Sequence, residues 1–153
     1  MIKILRQTDD IDSQEDGMVV TLIKYDKSNS QLTFSGAGQK MTVVADGQIA
    51  NYEASLFSIG GMHAFKQKRV CLFEDEVIPI KPNTTLYLYS DGFLDQFGGE
   101  KGERFTSKRF EQMLVDMQSM DMSEQYINLS KQLSDWMGNM PQLDDILVVG
   151  IKL

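Results

Sequence analysis

Two acidic points carry most of the chemistry available to this chain. Asp91 follows the run Leu86-Tyr87-Leu88-Tyr89 and opens an Asp-Gly pair. Asp144-Asp145 stands just before the apolar stretch Ile146–Leu153. An aspartate placed where a buried strand ends is costly unless something satisfies it. Either it caps a turn or helix, the commoner case, or it binds a cation. Two adjacent carboxylates repel, so the Asp144-Asp145 pair needs solvent, donors or a cation, and alone it reads equally well as a polar turn. Hard cations such as Mg²⁺ or Mn²⁺ suit all-oxygen sites, with water in the remaining positions. Other nucleophiles and ligands are scarce. The single histidine, His63, lies in the loop-like Gly60-Gly61-Met62-His63 and reads as an exposed loop residue. A Ser-His-Asp or Cys-His triad would rest entirely on it. The single cysteine, Cys71, lies in Val70-Cys71-Leu72-Phe73 and reads as a small buried hydrophobe, which excludes an internal disulfide and a Cys cluster for zinc. If hydrolysis occurs here, carboxylates with a metal are the natural substitute for imidazole.

The elements that position these residues follow from pattern. Met18–Tyr25 is apolar and β-branched, Asp26–Ser30 is a turn cluster, and Gln31–Ser35 alternates, so the three predict a hairpin. Met41–Ala45 and Gln48–Tyr52 flank Asp46-Gly47, a strong two-residue turn signal. Ser55–Ile59, Phe65–Phe73 and Glu76–Ile80 read as further strands. In Leu86–Tyr89 the leucines share one face and the tyrosines the other. Phe93-Leu94 is expected to begin a short helical turn. Gln96–Arg104, with three glycines, reads as a flexible loop that could act as a flap. Ser107 reads as the N-cap of a helix over about Lys108–Ser119. Ser123 reads as the N-cap of a second, with Ile127, Leu129, Leu133, Trp136 and Met137 inward and Gly138 at its end. The methionine stripe reads as core filling. Ile146–Leu153 is the last strand. Many strands, two helices and one strand predict an α+β fold, mostly antiparallel, with the helices on one face. If the Leu86–Tyr89 and Ile146–Leu153 strands pair antiparallel, the end of one meets the start of the other. Asp91 and Asp144 then reach the same sheet edge, within range of a shared metal.

Bulk properties bound the rest. At 153 residues the chain is expected to form one domain, 1–153, with 1–15 as an acidic arm and a sizeable core in the remainder. A net charge of −7, with acids spread along the chain, argues against nucleic-acid backbones and anionic membranes as partners. No apolar stretch approaches the roughly 20 residues of a spanning helix. The first residues lack the apolar region of a signal peptide, so a cytoplasmic setting is expected.

Several short motifs, in order, resemble one family. Tyr89-Ser90-Asp91-Gly92-Phe93, Phe97-Gly98-Gly99, Phe105, Trp136 and Asp144-Asp145-Ile146 resemble the metal-dependent PPM (type 2C-like) serine/threonine phosphatases, in their stage II sporulation protein E branch. Asp16-Gly17-Met18 through Tyr25-Asp26, then Leu32–Gly38 and Ser58-Ile59-Gly60, agree with it, so the resemblance runs from about Asp16 to the C-terminus. It implies part of an αββα sandwich. It also implies that Asp91 and Asp144 ligate Mn²⁺ or Mg²⁺, with Asp145 supporting these ligands or occasionally ligating itself, and Asp95 structural. The implied reaction is attack of metal-activated water on phosphoserine or phosphothreonine of a regulatory protein, such as an anti-sigma-factor antagonist. The family's "GD…D" and "DxxGHG"-like motifs are not found, and its "AGH" stands as Ala37-Gly38-Gln39. The chain is therefore expected to match the C-terminal portion of such a domain, with weak or no activity by itself. Its unpaired sheet edges are expected to invite self-association. The alternative is a non-catalytic family member that binds a partner protein in sigma-factor or two-component signalling.

Overall fold

The computed structural model describes residues 17–59 and 72–153. In chain order the elements are β1 (Val20–Asp26), β2 (Gln31–Ala37), β3 (Met41–Ala45), β4 (Gln48–Tyr52), β5 (Glu76–Pro79), β6 (Thr85–Tyr89), α1 (Gly92–Asp95), β7 (Phe97–Gly98), β8 (Glu103–Arg104), α2 (Ser107–Asp116), α3 (Met122–Met137) and β9 (Val148–Lys152). The fold is α+β and mostly antiparallel, as expected from the sequence. The acidic arm, His63 and Cys71 lie outside the described residues. So does the expected Phe65–Phe73 strand, except for Leu72 and Phe73, which carry no strand. No helix among the described residues is long and apolar enough to cross a membrane.

Two compact units are distinguished, one over Met1–Lys40 and Tyr52–Ile80, the other over Met41–Asn51 and Lys81–Leu153. In the described part of the first, β1, β2 and β5 form an antiparallel sheet in that order. Leu32, Phe34 and Ile78 are among its buried residues, the first two on the face that the alternation of Gln31–Ser35 requires. The β1–β2 turn is built by Asp26, whose carboxylate accepts from the Ser28 amide (2.9 Å), the Ser28 hydroxyl (2.6 Å) and Asn29 Nδ2 (2.9 Å). These bonds, the Ser28 hydroxyl first, hold the Asp26 carboxyl below its usual range. Ser55–Ile59 does not form the expected strand. It contributes only isolated bridges, Ser55 to Ala37 and Ile59 to Met18.

The second unit holds the sheet β4-β3-β6-β9. Asp46 and Gly47 both have positive φ (52° and 72°), the geometry that a two-residue Asp-Gly hairpin turn demands. The helices pack on the face that carries Tyr87 and Tyr89, around a cluster that includes Phe93, Phe105, Phe110, Leu114 and Met117. The aromatic rings meet in sequence: Tyr89–Phe110 at 4.6 Å, Phe110–Phe93 at 4.8 Å, Phe93–Phe105 at 5.1 Å and Phe105–Trp136 at 5.3 Å. Each such pair contributes about 1 kcal/mol beyond its burial. Gln125, also buried, ties three elements together. Its amide accepts from the Tyr87 hydroxyl (2.6 Å) and donates to the carbonyls of Met117 (3.1 Å) and Met120 (3.2 Å). Burial pushes the Tyr87 hydroxyl pKa up.

The helix starts differ from expectation. The second long helix, α3, is capped by Asp121, not Ser123. Asp121 accepts from the Glu124 amide (2.8 Å), and Glu124 accepts from the Asp121 amide (3.0 Å), a reciprocal capping box. Ile127, expected inward, is 64% exposed. The inner face instead runs through Met122, Gln125, Leu129, Leu133 and Trp136, and Ile127 falls between its rows. The first, α2, ends at Asp116 and begins after Thr106, which has a positive φ and no side-chain cap bond, so Ser107 is already helical.

Candidate active site

Asp91 is exposed between two buried aromatic anchors, Tyr89 and Phe93, which fix its backbone on both sides. It occupies the N-cap position of the short α1, yet its carboxylate makes no cap bond. The commoner use of a strand-end aspartate is thus not made here.

The β6–β9 ladder is antiparallel and ends at the pair Tyr89–Val148. Just past it, side-chain chemistry continues the pairing. The Ser90 amide donates to the Leu147 carbonyl (3.0 Å). The Ser90 hydroxyl donates to the Asp145 carbonyl (2.8 Å) and accepts from the Leu147 amide (2.9 Å). Gly92 lies so close to the Asp145 carbonyl that a Cβ would collide with it, which is why this position needs glycine. The Asp91 turn and the Asp144-Asp145 loop are therefore adjacent at one sheet edge, the arrangement that antiparallel pairing predicts. Within the loop, Asp144 Oδ1 accepts from the Asp145 amide (2.7 Å), and Gln142 donates to the Asp144 carbonyl (2.8 Å). Asp145, like Asp91, is exposed. Asp95 pairs with Arg104 (3.2 Å), a half-exposed contact worth at most about 1 kcal/mol.

The donors at this edge are hard carboxylate oxygens open to water, and their chemistry fits Mg²⁺ or Mn²⁺. Their number is short: among the described residues no three His, Cys, Asp or Glu side chains converge on one point. Asp91, Asp144 and Asp145 fit one side of such a site rather than a closed cage.

The glycine-rich segment is not the flexible loop that its composition suggests. It is the β7–β8 hairpin, laid directly on the end of α3. The Gly99 amide donates to the Trp136 carbonyl (2.8 Å), Trp136 Nε1 donates to the Gln96 carbonyl (3.0 Å), and a Cβ at Gly98 would collide with the Trp136 backbone. Arg109 lies over the Trp136 ring (4.6 Å), and its hydrogen bond and charge hold the Glu103 carboxyl below its usual range. Behind the acidic edge, a groove of about 540 Å³ runs between α3 and β9, lined by Phe93, Tyr126, Leu129, Gln142, Ile146 and Val148 among others.

Ser90 and Gln96 are the residues at this edge that sequence reasoning did not single out. Both lie in the segment that drew attention to Asp91, but their partners are backbone groups remote in sequence, and no pattern of residue types reveals those.

Solved structures place this architecture. The chain is 31% identical to the SiaA-PP2C domain of Pseudomonas aeruginosa, with a TM-score of 0.78, covering 90% of this chain and 52% of that one. Two further structures share the fold. One is the Mn-presoaked phosphatase domain of the cell fate determinant SpoIIE from Bacillus subtilis, at 16% identity and TM-score 0.60, covering 88% of this chain and 56% of that one. The other holds the RsbU and RsbW domains of Rv1364c from Mycobacterium tuberculosis, at 14% and 0.63, covering 89% and 36%. The fold is that of PP2C-type phosphatase domains. The stage II sporulation protein E (SpoIIE) family model matches residues 3–153, and the chain belongs to that family. No curated protein matches it significantly. The chain spans about half the length of the first two structures named and less of the third.

Proposed function

We propose that the chain supplies the Asp91 and Asp144-Asp145 side of the metal centre of a protein serine/threonine phosphatase. Its substrate class is phosphoserine or phosphothreonine on a regulatory protein, of the anti-sigma-factor antagonist type, in a cytoplasmic setting. The observation that carries the reading is the hydrogen bonding of Ser90 to Asp145 and Leu147, which sets the two acidic segments side by side. Bound Mn²⁺ or Mg²⁺ would supply an activated water and charge neutralisation at the phosphoryl oxygens. Asp91 and Asp144 are the assigned ligands, with Asp145 beside them. The Asp145 amide holds the Asp144 carboxylate, and the aromatic anchors keep the Asp91 backbone in place.

The test is phosphate release from a phosphoseryl peptide with added Mn²⁺, comparing wild type with Asp91→Asn. Release barely above background is expected, and it falls further in the variant. Release that the variant leaves unchanged overturns the assignment of Asp91. Robust release lost in the variant overturns the expectation that this chain is an incomplete catalyst.

A second reading is a non-catalytic member that binds a partner protein. Capture of a sigma-pathway protein independent of metal separates the two. Self-association has a specific basis in β9. The Leu147 carbonyl and Leu153 amide bond toward β6, so by alternation the main-chain groups of Val148, Gly150 and Lys152 face outward on what is, among the described residues, an edge that a second copy can pair with.

A further inference from the structure

The Asp144-Asp145 loop is held by two side chains, and both come from the stretch that carries Asp91. At one end stands Ser90. Its hydroxyl hydrogen goes to the Asp145 carbonyl and its lone pair to the Leu147 amide. At the other end stands Gln96, which is fully buried. Its Nε2 donates to the Pro141 carbonyl (2.9 Å) and the Phe97 carbonyl (3.1 Å). Turning the amide over would aim its oxygen at two carbonyl oxygens, so the orientation is fixed even though Oε1 is buried without a partner. The Gln96 backbone is held in turn, its carbonyl accepting from Trp136 Nε1 and the Phe105 amide (both 3.0 Å). Between these anchors the side-chain bonds of the loop are local, from Gln142 to Asp144 and from Asp145 to Asp144.

An exposed loop bearing two carboxylates beside a third is pushed outward by like charge. Opposing that push requires tethers at fixed points. We propose that Ser90 and Gln96 are positioning residues that clamp the Pro141–Leu147 loop at both ends. They set the spacing of Asp91 against Asp144-Asp145 before any cation arrives. The consequence for metal affinity rests on the ligand roles proposed above; the clamp itself does not. Partners one bond removed from ligands typically change metal affinity 10–100-fold. Of the small side chains, only a hydroxyl both donates and accepts strongly through one atom, as Ser90 does. Threonine preserves this and alanine abolishes it.

The experiment uses the 153-residue chain, ¹⁵N-labelled, as wild type, Ser90→Ala, Ser90→Thr and Gln96→Met. In S90A, hydrogen exchange at the Leu147 amide is expected to rise about tenfold relative to Leu86 in the central strand, while S90T stays at the wild-type rate. Unchanged exchange at Leu147 in S90A overturns the clamp at that end. Should S90A lose its core signals, Ser90→Val, which can neither donate nor accept, replaces it, and wild-type exchange at Leu147 in that variant overturns the clamp equally. Titration with Mn²⁺ then reads the spacing. Paramagnetic broadening at Gly92 and Asp145 is expected at the same Mn²⁺ concentration in wild type and S90T, and at about tenfold higher concentration in S90A and Q96M. An unchanged midpoint in Q96M removes Gln96 from the proposal. If S90A passes the exchange test but Mn²⁺ broadens neither Gly92 nor Asp145 in wild type, the clamp stands and the metal reading fails.

Discussion

Asp26 closes β1 and Asp91 stands just past β6, two aspartates at strand ends with opposite surroundings. The carboxylate of Asp26 is consumed by its own turn, with bonds from Ser28 and Asn29 that hold its pKa down. The carboxylate of Asp91 takes no cap bond, although it sits where a cap belongs. The difference lies in the next three residues along the chain. After Asp26 come Lys-Ser-Asn, whose donors reach back within the turn, whereas after Asp91 come Gly-Phe-Leu, which offer no side-chain donor. A strand-end aspartate with donors two or three residues on is a turn residue. One without them stays open to water, as Asp91 does beside the Asp144-Asp145 loop.

The contrast can be broken at several strengths. Gly92→Ala should be the most damaging change, because the new methyl meets the Asp145 carbonyl, a backbone atom that the Ser90 hydroxyl also holds. A loss of about 2–3 kcal/mol is expected from urea unfolding. A wild-type midpoint would mean that the loop yields freely and the two acidic segments are not locked together. Asp26→Ala should lower the melting temperature by less. Its pH dependence has a definite sign. The folded pKa lies below the ordinary 3.8, so the stabilisation is fully present above that value and is lost as pH falls through the folded pKa. The gap between wild type and variant should therefore close on acidification, and a gap that widens would sink the account. Asp91→Ala, at the other extreme, should stay within about 0.5 kcal/mol of wild type at neutral pH without added metal. A loss as large as that of Asp26→Ala would erase the distinction.

Much of this could be read from residue order. The Asp46-Gly47 turn requires two positive φ values, and few residue pairs supply them. Tyr87 and Tyr89 share a face because strands alternate. The adjacency of the Asp91 turn and the Asp144-Asp145 loop comes directly from taking β6 and β9 as antiparallel. What stayed hidden depends on polar residues in apolar roles. Gln125 occupies a core position of α3, so a search for apolar periodicity passes over it and turns Ile127 inward. Ser123 resembles a cap by type, but Asp121 has Glu124 three residues on and completes a reciprocal box. Gly98 and Gly99 suggest mobility by composition, while their actual use is to let a backbone lie flat against Trp136. Glycine marks close approach as readily as freedom, and sequence alone does not separate the two.

Gln125 has a further consequence for how this region opens. One amide belongs to α3, caps the carbonyls just beyond α2, and takes the buried hydroxyl of Tyr87 in β6. Unwinding of the first turns of α3 would strip the end of α2 and strand that hydroxyl in the core at the same moment. The three elements are thus bound to unfold as one cooperative block. The strand end presenting Asp91 shares the block's resistance to opening, so an exposed acidic residue in a turn has the persistence of the core beneath it.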